Sequence, residues 1–159
     1  MGFTAHLIAI ALRLQGTPPG AEAVDDYRFR LDQIVTALVD ASERYRELAV
    51  ASLVLMDQES RFRREVHSGA VLGPGPAICL GQFEEGPHLG HKEWLALAGL
   101  DRAATERCVG RVVSTLRRYR GWCGSWAGAF SAYATGKGCK VIPLGQHRAN
   151  LLNKLLRTW

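Results

Sequence analysis

The chain has 159 residues, 47% of them apolar and 22% charged, with 20 lysines and arginines against 15 acids and a formal net charge of +5. That length suits one domain, and the balance excludes a mostly disordered chain, a collagen and a coiled-coil rod. The modest positive charge favours an anionic partner, whether nucleic acid, acidic lipid or a bacterial cell wall, without choosing among them.

Phe3 to Leu14 is apolar apart from breaks such as His6 and Arg13, and is too short to cross a bilayer. It reads as an amphipathic first helix that ends before Pro18. A charged n-region and a small-residue cleavage site are missing, so it makes a poor signal peptide, a truncated export signal being the alternative. From Ala21 to Asp40, Tyr27, Leu31, Ile34, Val35, Leu38 and Val39 recur at helical spacing. Ser42 is the expected N-cap of the next helix. That helix is expected over Glu43 to Gln58. Between Leu48 and Met56 only Ser52 is not apolar, the mark of a helix enclosed by other elements.

From Ser68 to Gly90 lie six glycines and three prolines. This long loop breaks helices and leaves room for a short hairpin around Val71 to Leu80. A loop of that length inside a compact chain is usually functional. Helix returns over Lys92 to Ala98 and over Arg102 to Tyr119. Ser125 caps a small-residue helix from Trp126 to Thr135, stopped by Gly136 and Gly138. Leu151, Leu152, Leu155 and Leu156 mark a last amphipathic helix. The expected fold is mostly α, one domain in which residues 1–42 have no assigned role, 43–139 form the core and 140–159 add the last helix.

Four cysteines, at 79, 108, 123 and 139, form no C-x-x-C pair, which argues against a zinc ribbon or a thioredoxin-type site. Cys108 and Cys123 lie near opposite ends of one helix, roughly 20 Å apart at about 1.5 Å per residue, too far to bridge. If disulfides form, each of these two pairs with Cys79 or Cys139.

Glu59 is the candidate catalytic residue. It follows the enclosed apolar run, where poor solvation and the negative end of the helix dipole both disfavour a carboxylate. An acid that keeps its proton near neutral pH can donate it to a leaving group. Among possible second carboxylates, Asp57 faces away from Glu59 on the helix and Glu65 is a solvated loop residue. Glu84 and Glu85 could reach the same cleft. His67 is expected at the surface. His88 and His91 flank a turn and lack a third ligand, so no metal is expected, and no other cofactor is implied. The basic clusters Arg61, Arg63, Arg64 and Arg117, Arg118, Arg120, with Trp122 and Trp126, raise a rival reading as a non-enzymatic module binding nucleic acid or cell wall.

The run from Ala49 through Glu59, Ser60 and Phe62 resembles the catalytic helix of lysozyme-like lytic transglycosylases, an apolar stretch followed by E-S-x-F. Downstream, Ser68-Gly69-Ala70 stands in place of the family's small-residue loop. Cys79-Leu80-Gly81-Gln82 stands for its G-L-M-Q, and the run Ala129 to Gly136 for its A-x-x-Y-N-A-G. The likeness covers residues 43 to 139. Cys79 replaces a glycine, Gly81 a methionine and Ala134 an asparagine. The asparagine's substrate contact is therefore lost or supplied elsewhere, with Thr135 the candidate. The resemblance implies substrate contacts at Ser68, Gln82, Tyr133, Thr135 and Glu84, with Tyr133 orienting Glu59. It also implies a monomer that acts on peptidoglycan glycan strands, outside the cytoplasm or from a virion, and neither binds nucleic acid nor inserts stably into a membrane. The implied reaction uses one glutamate and ends in 1,6-anhydro-muramoyl products. A hydrolytic muramidase on the same fold is the alternative, and would need a second carboxylate.

Overall fold

From Leu48 to Asp57 every residue is buried, so the helix that carries them, α3 (Arg46–Ser60), is wrapped on all sides. Around it in the computed structural model, which describes residues 2–70 and 77–159, pack α1 (Phe3–Leu14), α2 (Val24–Ala41), α6 (Arg102–Cys123) and α8 (Pro143–Leu156). α7 (Trp126–Thr135) closes against α6 and α8. Two short helices, α4 (Arg64–His67) and α5 (His91–Leu95), complete the mostly α fold. Each leucine or valine of the α3 run contributes about 1.5–3 kcal/mol by leaving water.

α1 is part of this core. Leu7, Ile10 and Ala11 are buried, and just past its end Gln15 Nε2 donates to Asp57 Oδ1 (2.9 Å). Ser42 does not cap α3 as expected. It ends α2, and Glu43 and Arg44 then take left-handed φ values of 53° and 60°. Two such residues cannot belong to a right-handed helix, so α3 starts only after Tyr45.

At the other end of α3, Arg61 (φ 51°) and Phe62 (φ 50°) turn the chain sharply. Left-handed non-glycine residues cost of order 1–3 kcal/mol each and persist where their surroundings hold them. Here Phe62 is fully buried and its carbonyl accepts from Arg30 Nη2 at 2.6 Å. Arg30 is itself neutralised by Glu22 (2.7 Å), with both side chains almost fully buried.

A small hairpin is present, shifted from its expected place. β1 (Ala77–Ile78) runs antiparallel to β2 (Phe83–Glu84), with Ala77 opposite Glu84 and Ile78 opposite Phe83. Residues 71–76 of the expected strand region lie outside the described residues. Trp94 of α5 braces the hairpin, its Nε1 donating to Phe83 O (2.8 Å).

Cys79 pairs with Cys108 and Cys123 with Cys139, each member of the distant pair finding one of the two permitted partners. Such bonds belong to an oxidising compartment. Among the described residues no helix is long and apolar enough to cross a membrane. The second bridge closes a sequence separation of 16 residues. Cys123→Ser/Cys139→Ser should therefore lower stability by about 3 kcal/mol in a urea titration.

Candidate functional site

The last turn of α3 carries Glu59 into a cleft of about 770 Å³, inside the roughly 300–1,000 Å³ range of small-molecule sites. The hairpin supplies Gln82, Phe83 and Glu84, α6 supplies Thr115 and Tyr119, α7 supplies Tyr133 and Thr135, and α8 supplies Leu144 and Arg148. Glu59, Gln82, Glu84, Tyr133 and Thr135, named from the sequence, thus share one cavity.

Glu59 has a different partner from the one expected. Arg148 Nη2 donates to Glu59 Oε1 at 2.6 Å, with side-chain exposures of 4% for the arginine and 22% for the glutamate. The carboxyl group is held by a buried guanidinium, not simply enclosed by apolar side chains. Oε2 makes no hydrogen bond among the described residues, so it is the oxygen open to a ligand. Among the described residues Arg148 Nε and Nη1 are buried without partners, and Glu59 is the one group that satisfies this cation. Sequence reasoning missed Arg148. Its signal was an arginine in the buried stripe of α8, in register with Ala149, Leu152 and Leu155.

Tyr133 does not reach Glu59 with its hydroxyl. Oη donates to Gly81 O at 2.6 Å, tying α7 to the turn before β2. Burial, reinforced by the nearby Glu59 charge, pushes the phenol well above its ordinary value, so it stays a donor. Gln82 takes φ 52° and Cys79 φ 60°. The turn is held by the Cys79–Cys108 bridge and by Gln82, whose backbone N (3.0 Å) and Nε2 (3.1 Å) both donate to Cys79 O. Gly81 has no space for a methionine. A Cβ there would lie 2.6 Å from the Phe83 ring and 2.7 Å from Val112. Thr135 spends its hydroxyl on Ser131 O (2.9 Å).

The expectations for Ser68, Glu65 and Glu85 are corrected. Ser68 lines a separate depression with Glu22, Arg64 and Glu65, and is absent from the Glu59 cleft. Its hydroxyl donates to Glu65 O. Glu65 belongs to the helical turn α4. Glu85 pairs at the surface with His91 (3.0 Å). Asp57 is buried beneath Gln15 and Gln58. Among the described residues no three His, Cys, Asp or Glu side chains converge as a metal would require.

His67 is fully buried, not at the surface. Arg30 Nη1 donates to its Nδ1 (3.5 Å), so Nε2 carries the proton and donates to Thr105 Oγ1 (3.1 Å). Burial, aided by the Arg30 charge, lowers its pKa from 6.5 to about 3. The unfolded chain therefore binds a proton here that the folded chain refuses. Stability from this group is complete above pH 6.5 and declines by up to about 1.4 kcal/mol per pH unit towards pH 3. Unfolding measured across that window should lose this part of its slope in His67→Gln.

The chain matches no protein-family model, no curated protein and no solved structure.

Proposed function

We propose that this protein is a lysozyme-like lytic transglycosylase that cleaves the β-1,4 bond between N-acetylmuramic acid and N-acetylglucosamine in peptidoglycan, outside the cytoplasm. One observation carries the reading: an acid at the end of an enclosed helix shares a ligand-sized cleft with Gln82, Tyr133, Thr135 and Glu84. Glu59 protonates the glycosidic oxygen from Oε2, since Arg148 occupies Oε1. The C1–O bond breaks as the muramoyl 6-hydroxyl attacks C1, and the glutamate, now a base, takes that hydroxyl's proton. No water is consumed, and a single carboxyl group suffices. Arg148 holds the carboxyl in place through both half-steps. Tyr133 and the disulfide hold the turn that presents Gln82. Two disulfides suit work at the cell wall, and the positive net charge suits an anionic wall.

Glu84 in the same cleft favours a second reading, a hydrolytic muramidase in which it serves as the other carboxylate. Mass spectrometry of digested peptidoglycan separates the two. Anhydro-muramoyl ends are expected. Reducing ends alone would replace the first reading by the second, and intact glycan strands would end both.

A further inference from the structure

Four aromatic rings lead from the cleft to the surface. Phe83 meets Tyr133 edge-on at 6.0 Å, Tyr133 meets Tyr119 edge-on at 6.4 Å, and Tyr119 meets Trp122 at 6.1 Å with a tilt of 35°. The first three line the cleft. The last does not, yet it lies within ring contact of one that does. Trp122 is 64% exposed, a large indole that the fold leaves uncovered. Burying it would gain more than burying most side chains, so its position outside the core is not explained by packing.

Its support is rigid. Trp122 lies on α6 one residue before Cys123, whose bridge to Cys139 fastens the end of that helix to the segment between α7 and α8. The guanidinium of Arg118 covers the neighbouring Tyr119 ring at 5.2 Å, and Lys137 is exposed on the turn after α7. An aromatic surface that carries a guanidinium and is continuous with the cleft has the chemistry for a sugar chain with acidic substituents. Pyranose rings turn apolar C–H faces outward, and the electron-rich face of an indole attracts such partly positive C–H groups. The Arg118 cation meets the carboxylates.

We infer that Trp122, with Tyr119, forms a stacking subsite beyond the cleft that holds the next sugars of an acidic amino-sugar polymer. The inference rests on the glycan-cleaving reading and deepens it. The subsite binds without chemistry, and its role is to lengthen the grip on a polymer, so its loss weakens long ligands.

The test uses Glu59→Gln protein, which binds glycan without turning it over, titrated with a β-1,4-linked N-acetylglucosamine hexamer and followed by tryptophan emission and calorimetry. Trp122→Ala in that background should weaken the hexamer about tenfold and remove most of the emission change. Phe29→Ala serves as control, since Phe29 is 67% exposed on α2 and lines no part of the cleft. It should leave both unchanged. An unaltered Kd in the Trp122 variant overturns the subsite and leaves the cleft reading standing. No hexamer binding by the Glu59→Gln protein, together with intact peptidoglycan after exposure to the wild type, overturns both.

Discussion

Glu59→Gln should reduce peptidoglycan cleavage by about 10²–10⁴-fold while the fold survives. The magnitude is the usual contribution of a positioned general acid. The substitution removes the transferable proton and also the negative charge that faces Arg148. The amide oxygen of glutamine can still accept from Arg148 Nη2, so the contact that holds the side chain at 2.6 Å has a substitute. Loss of rate in protein that is still folded at the assay temperature would place the defect in chemistry. Unreduced wall-clearing by a folded Glu59→Gln protein would remove Glu59 from the mechanism, and the proposed function with it.

Glu59→Ala should be the less stable of the two, because it strands the Arg148 charge without leaving even a hydrogen-bond acceptor. Arg148 has 4% of its side-chain surface exposed and, among the described residues, two nitrogens already without partners. Without Glu59 the guanidinium has no hydrogen-bond acceptor among the described residues. An uncompensated buried charge typically costs 3–5 kcal/mol, and the partial exposure of Glu59 argues for the lower end, about 3 kcal/mol. In urea titrations Glu59→Ala should fall well below Glu59→Gln. The double variant Glu59→Ala/Arg148→Met should recover most of the loss, since it removes the charge along with its partner and keeps an unbranched chain in the slot. Equal stability of the two single variants would mean that water satisfies Arg148 once the glutamate is gone. The pair also bears on the proposed reaction. It engages one carboxyl oxygen, so in the proposed reaction the other is the one that faces the ligand.

The helices were legible because their signals are local. Ser125 Oγ accepts from Gly128 N at one end of α7, and Gly136 takes φ 64° at the other, as a serine cap and a glycine stop require. The enclosure of α3 followed from its lack of a polar face. Errors arose where local preference met a tertiary constraint. Ser42 is a good cap by residue type, yet the chain was still reversing there. His67 stands next to glycine-rich loop sequence, yet Arg30 and Thr105 draw it into the core. Order along the chain also misled for Ser68, since adjacency in sequence does not say towards which side of α3 a turn will face.

The sequence by itself determined a helical fold, a central helix with no wet face, and an acid at the end of that helix. It also barred a bridge between Cys108 and Cys123. These are consequences of periodicity, capping and helix rise, which act over a few turns of one segment. Only the tertiary structure decided what meets the acid. Arg148 is 89 residues away along the chain, and Tyr133 reaches Gly81 across 52. Such contacts depend on how α7 and α8 dock against α3 and the hairpin. Docking is set by the summed packing of many side chains, and no single segment encodes it.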